Sequence, residues 1–197
     1  MSVGVRSATA ADAPGIARVH VDTWRSSYRG IIPQDFLDAL DAAKRAAMWK
    51  EEIGRKDAHV LVAQDTGAQD TVAQDAVAQG AVAQDAGAVS GFISGGILRD
   101  GVDVARQNYD SEIYTLYVSP AFQGRGVGRE LMRALAARLA DDGLTRPVVW
   151  ALERNPWCAF YERLGGRRVA HKTIEIGGAQ LSDIAYGWDE IGILLRR

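Results

Sequence analysis

The run Gln123-Gly124-Arg125-Gly126-Val127-Gly128 places three glycines in five residues, between a β-patterned run (Glu112 to Val118) and an amphipathic helical run (Val127 to Asp141). Glycine there lets the backbone take positive φ and pass close to a bulky group. The following helix directs its unpaired N–H groups and positive dipole end into the same loop. That is the chemistry of an anion site, most often for phosphate or pyrophosphate. Two other phosphate loops are excluded by single residues. A dinucleotide fingerprint requires glycine where Arg129 stands, and a P-loop requires a Gly-Lys-Ser/Thr run that is absent.

The chain has 197 residues, 47% of them hydrophobic. That is enough for one substantial core, and a single domain over residues 1–197 is expected. A formal net charge of −2 argues against a nucleic-acid partner, which calls for a basic excess. The lone Cys158 cannot form an internal disulfide, which fits a reducing cytoplasm and excludes a cysteine-rich metal site. His20, His59 and His171 lack ligand spacing, so no metal is expected. The N-terminus has no basic-then-apolar leader pattern, and no apolar run reaches the length of a membrane span. A cytoplasmic protein with no membrane partner is the expectation.

The elements that must position the loop follow from periodicity. Val3 to Ala8 reads as a strand, and Thr9 to Asp12 as a helix cap with Pro14 tolerated in the first turn. Ile16, Val19, His20 and Trp24 then form a buried helical stripe. Helices follow from Pro33 to Leu40 and Asp41 to Ile53, and strands over His59 to Ala63 and Ala88 to Leu98. Between these strands Ala-Gln recurs at Ala63, Ala68, Ala73, Ala78 and Ala83, a period that belongs to neither helix nor strand. The segment 64–87 reads as a low-complexity insertion in a hairpin loop, since such loops usually hold about two to five residues. Pro147 to Leu152 is a buried strand, and Asn155-Pro156 starts a short helix ended by Gly165-Gly166. Arg168 to Ile176 and Leu181 to Trp188 are two strands turned at Gly177-Gly178. An α/β sandwich with a mixed sheet results.

Two segments now carry a resemblance. Glu112 to Met132 (EIYTLYVSPAFQGRGVGRELM) and Asn155 to Arg168 (NPWCAFYERLGGRR) resemble the core motifs of the GNAT superfamily of acetyl-CoA-dependent N-acetyltransferases. Gln123, Gly126 and Gly128 fill the fixed positions of the first motif, and Phe160 to Gly165 the second. The resemblance implies a mixed, mostly antiparallel central sheet of about seven strands flanked by helices, with a splayed strand pair holding acyl-CoA. It also implies transfer of an acetyl group from acetyl-CoA to a primary amine of a small molecule, peptide or protein, by direct attack in a ternary complex. A module that binds acyl-CoA as a sensor, with little turnover, is the alternative; retention of Glu112 and Tyr161 favours the enzyme. Family habit somewhat favours a homodimer.

By the same resemblance the coenzyme's pyrophosphate would sit on Gln123, Gly124, Arg125, Gly126, Val127 and Gly128, with Arg129 adding charge. The pantetheine arm would pair with the backbone of Leu116, Tyr117 and Val118, and Asn155 would bind the arm or the strand end. Attack requires a neutral amine, and a lysine-type amine with a pKa of about 10.4 is mostly protonated at neutral pH. Glu112 is the candidate base, sharing a face with Tyr114, Leu116 and Val118 by strand alternation; Glu153 competes with it, and some relatives use ordered water with no side-chain base. Tyr161 matches the residue that protonates the leaving thiolate. Cys158 reads as a small buried helix residue rather than a nucleophile. Trp24 and Tyr28 stand where relatives shape the acceptor pocket.

Overall fold

The computed structural model describes residues 3–65, 88–99, 104 and 107–196. Their order is β1 (Val3–Ser7), α1 (Ala13–Ser27), α2 (Gln34–Asp38), α3 (Ala42–Ile53), β2 (Ala58–Asp65), β3 (Val89–Ile97) and β4 (Ser111–Val118). There follow α4 (Val127–Asp141), β5 (Pro147–Leu152), α5 (Cys158–Arg163), β6 (Arg167–Ile176), β7 (Ala179–Gly187) and α6 (Gly192–Leu195). The seven strands form one sheet in the order β1-β2-β3-β4-β5-β7-β6. All pairs are antiparallel except β4 with β5. This is the mixed, mostly antiparallel sheet expected, and the repeat read as a hairpin insertion falls largely on 66–87, outside the described residues.

Each face of the sheet is covered by helices whose apolar stripes recur at helical spacing. On one face Val127, Leu131, Leu135 and Leu139 of α4 pack on Leu61, Ile93, Ile113 and Val149. On the other, Ile16 and Val19 of α1 and Trp49 of α3 pack on Val60, Val62 and Phe92. Local chemistry fixes where these helices begin. Asp12 accepts from Thr9 N at 2.7 Å and Thr9 Oγ1 at 2.9 Å, and pairs with Arg6 at 2.7 Å, which holds its carboxyl down at about 2. Asp41 caps α3 by accepting from Ala43 N at 2.7 Å and Lys44 N at 3.1 Å. The helix α5 departs from expectation: Asn155 to Trp157 form a turn, with Asn155 Oδ1 accepting from Trp157 N at 3.0 Å, and the helix starts at Cys158.

Two features of the sheet matter for function. First, β4 and β5 pair only at Ser111–Pro147, Glu112–Val148 and Ile113–Val149. Asp110 clamps this closed end by accepting from Thr145 N at 2.8 Å and Arg146 N at 2.9 Å. Beyond it the two strands diverge, leaving residues 114–118 and 150–152 unpaired toward each other. Second, the β3–β4 register slips by one residue: Ser94 faces Thr115 while Gly95 faces Ile113. A bulge on β4 at Tyr114 results, and it reverses the alternation. A Cβ on Gly95 would lie 2.7 Å from Glu112 O, so only glycine fits beside the bulge.

The bulge corrects one expectation. Ile113, Leu116 and Val118 share the α4 face, whereas Tyr117 packs with Phe92 on the α1 face. Glu112, preceding Ile113, therefore points to the α1 face with Tyr117, not to the face of Leu116 and Val118.

Candidate active site

Where β4 and β5 separate, a cavity of about 390 Å³ opens through the sheet. Leu116, Tyr117 and Val118 line one side of it, Val149, Trp150 and Ala151 the other, and Asn155 and Tyr161 stand at its α5 end. Gln123, Gly124, Gly126, Val127, Gly128 and Arg129 form its mouth.

The mouth is built for an anion. Gly124 (φ 72°) and Gly126 (φ 83°) both lie in the left-handed region, which turns the chain sharply into α4. A Cβ on either would meet nothing within 4 Å, so the cradle faces open space. The bond from Glu130 N to Gly126 O, at 3.1 Å, is the first of the helical ladder, which leaves the amides of Val127, Gly128 and Arg129 ahead of it. Gln123 ties the loop to the strand by donating from Nε2 to Val118 O at 3.0 Å. The two arginines part company. Arg129 lines the cavity, whereas Arg125 stands outside its wall with its guanidinium 5.6 Å from the Phe122 ring.

At the α5 end Tyr161 is 6% exposed, with its ring 5.5 Å from Tyr186 and 5.4 Å from Phe160. Burial, reinforced by the nearby Tyr117, Cys158 and Tyr186, raises its hydroxyl far above the usual phenol range, so it stays protonated. Tyr28 is also buried and lines the cavity, and its hydroxyl accepts from Asn155 Nδ2 at 3.3 Å. Cys158 is buried with Sγ donating to Leu152 O at 3.4 Å, and burial pushes its thiol up, as suits a packing residue.

Other expected residues lie farther off. Trp24 stands behind Tyr28, at 5.3 Å in a T-shaped contact, and is not on the cavity wall. Glu112 sits at the closed end of the splay, partly buried, where Oε2 accepts from Arg99 N at 3.1 Å. Glu153 is exposed and lines a separate shallow depression with Arg168 and Ser182.

Two residues of this region escaped the sequence reading. Trp157 lines the cavity and spans α1 and α5, its Nε1 donating to Ser27 Oγ at 3.4 Å. Asp183 is a carboxylate only 6% exposed, opposite Leu152 of β5 and Lys172 of β6. The alternation of Leu181, Asp183 and Ala185 on one face of β7, with Ile184 and Tyr186 on the other, held the signal: a charge on an inward-facing row.

A splayed parallel strand pair, with a glycine-rich loop at its mouth, is the arrangement that the GNAT resemblance implies. The description "Acetyltransferase (GNAT) family" matches residues 34–166, and the chain belongs to this family of N-acetyltransferases. Among its relatives is N-acetyltransferase YuaI of Bacillus subtilis, itself uncharacterised, 34% identical over 192 residues that cover 98% of this chain and 96% of the relative. The fold is shared with the PaiA N-acetyltransferase of Thermoplasma acidophilum, solved in complex with coenzyme A (TM-score 0.63, 16% identity, 93% of this chain and 98% of that one). It is shared too with YncA of Salmonella typhimurium, solved with acetyl-CoA (TM-score 0.63, 20% identity, 97% of this chain and 95% of that one). Among the described residues no helix is long and apolar enough to cross a membrane, and no group of three His, Cys, Asp or Glu is placed to hold a metal.

Proposed function

We propose that the chain transfers an acetyl group from acetyl-CoA to a primary amine of a small molecule, peptide or protein, by direct attack in a ternary complex. The observation that carries this is the opening of β4 from β5 past Ile113–Val149, directly beneath the glycine cradle. When bound, acetyl-CoA supplies an activated thioester carbonyl. Gly124 to Gly128 would hold its diphosphate on main-chain amides, with Arg129 adding charge from the cavity side. The freed edge of Leu116 to Val118 would hydrogen-bond the pantetheine arm, and an amide there would stabilise charge on the carbonyl oxygen. Asn155 would help fix the arm while held against Tyr28.

Two side chains then move protons. Glu112 takes the proton released by the amine, through a bridging water, from its place at the closed end of the splay. Tyr161, kept neutral by burial, holds the proton that the departing thiolate needs. The test is thermal shift with acetyl-CoA followed by thiol release on a panel of primary amines. Stabilisation together with amine-dependent thiol release is the expected result. Stabilisation without release on any amine would favour a sensor, and no stabilisation would remove the coenzyme assignment altogether.

A further inference from the structure

On the α1 face of the sheet, two apolar clusters meet along a seam. One joins Tyr28, Leu37 and Leu152; the other joins Val104, Tyr109, Val148 and Ala185 and takes in the edge of Trp150. Asp183 lies on this seam. It is level with Leu152, in the part of β5 that has left β4, and one strand beyond the cavity wall. Since Ile184 and Tyr186 point to the α4 side, Asp183 and Ala185 point to the α1 side, opposite the packed helix that carries the glycine cradle. Its charge reaches the hydroxyls of Tyr28 and Tyr117, both on the cavity wall.

The seam already accommodates one ammonium. Lys172 Nζ sits 4.0 Å from the centre of the Trp150 ring, beside the cross-strand Asp183. Among the described residues Trp150 Nε1 is buried without a hydrogen-bond partner. An amine in the cavity would meet Trp150, Tyr28 and Tyr117 on the wall, with the Asp183 carboxylate next behind them and Lys172 on its far side. A carboxylate on the same substrate carbon would be pressed against Asp183 in a poorly solvated place.

Resting on the acetyl-transfer reading above, we propose that this seam is the acceptor site. Asp183 holds the substrate ammonium, Trp150 supplies the ring beside it, and the acceptor is an amine with no carboxylate next to its nitrogen. This separates binding from proton removal: Asp183 selects and places the amine, and Glu112 belongs to the later step. The charged and titratable groups facing Asp183 are Lys172 of β6, Glu112 and Tyr117 of β4, and Tyr28 after α1. β5 presents Trp150 and Leu152, neither of which titrates.

The test compares phenethylamine and L-phenylalaninamide with L-phenylalanine as acceptors, at saturating acetyl-CoA. The two amines without a carboxylate are expected to release thiol with kcat/KM at least about thirtyfold above phenylalanine, and Asp183→Asn to raise their KM by about the same factor. The variant should keep kcat within about threefold and leave the acetyl-CoA thermal shift unchanged. Asp183→Glu should recover part of the loss. Burial and Glu112 raise the Asp183 carboxyl to about 6, so wild-type kcat/KM should climb with pH through that value, and the step should vanish in Asp183→Asn. Equal use of phenylalanine, or an unchanged KM in the variant, overturns the proposal. If no amine releases thiol, calorimetry of phenethylamine on the coenzyme A-loaded protein decides. Binding lost in Asp183→Asn sustains the seat, and no binding to wild type overturns it. Failure of acetyl-CoA to stabilise the protein would instead strike the acetyl-transfer reading.

Discussion

The hydroxyl of a tyrosine that is 6% exposed, with neighbours that all oppose its ionisation, is well suited to hold a proton and poorly suited to give one to water. It becomes a donor only to a thiolate that forms beside it in the same poorly solvated place, where the thiolate is a stronger base than in water. Tyr161→Phe keeps the ring in its contacts with Phe160 and Tyr186 and removes only the proton. The expected outcome is a fall in kcat of about 100-fold, with acetyl-CoA affinity by calorimetry unchanged. Wild-type turnover at saturation would take Tyr161 out of the mechanism. Tyr161 was legible in the sequence because it lies in a local run, Phe160 to Gly165, that marks its own helix. Asp183 was legible only as a charge on an inward-facing row, because what distinguishes it is company from β4, β5 and β6, and nothing within LSDIAYG announces those partners. Glu112 stands between the two cases. Its position in the chain was readable, but its direction depended on a one-residue register slip opposite Gly95 that alternation does not foresee.

At the level of the element, the cradle and the splay depend on different physical requirements. Gly126 precedes α4 in a left-handed conformation, in open space. Gly126→Ala therefore meets no clash, and a non-glycine residue there costs about 1 kcal/mol in backbone strain. The added methyl would face the place where a diphosphate must approach. A small drop in Tm with at least a tenfold loss of acetyl-CoA affinity is expected, read by calorimetry (about 1.4 kcal/mol in binding). An unchanged affinity would count against the cradle. The repeat segment read as an insertion invites the opposite experiment. β2 and β3 are paired up to Gln64–Val89, so the two strands can be joined there in place of residues 66–87. Excising them and joining the strands with Asn-Gly should leave acetyl-CoA stabilisation and turnover within about twofold, since a two-residue turn of that type suits an antiparallel pair. Loss of turnover in a folded deletion variant would give the segment a role at the site. Strands, helices and the cradle were readable because their patterns are local. The separation of β4 from β5 was implied only through resemblance, since strand neighbours that are distant in sequence leave no periodic trace.

Across the whole molecule, two buried titratable groups oppose each other as the pH is changed. His20 lies under Trp24, Trp49 and Tyr117, with Nδ1 accepting from Trp49 Nε1 at 3.1 Å, and burial lowers its pKa to about 3. Unfolded, it would titrate near 6.5. Between those values the unfolded chain binds a proton that the folded chain refuses, so this residue's contribution to stability falls as the solution is acidified from about 6.5 toward 3. Asp183 acts in the other direction. Its folded pKa of about 6 lies above the value near 3.9 of an unfolded aspartate, so the folded chain keeps a proton that the unfolded chain releases. Its ionisation lowers stability as the pH rises through that window, and the full loss, of the order of 3 kcal/mol, persists above it. Such a burden is understandable at a residue that must present a charge to a substrate, and it is hard to account for at one that only packs. Asp183→Asn is nearly isosteric and removes the burden. Its Tm should match wild type near pH 4 and exceed it by several degrees at pH 8, the gain appearing between those values. His20→Gln should flatten the acid limb of the wild-type curve without altering the Asp183 step. A variant Tm at pH 8 no higher than wild type would mean that Asp183 is already compensated in the resting protein, leaving no unmet charge for an amine to satisfy.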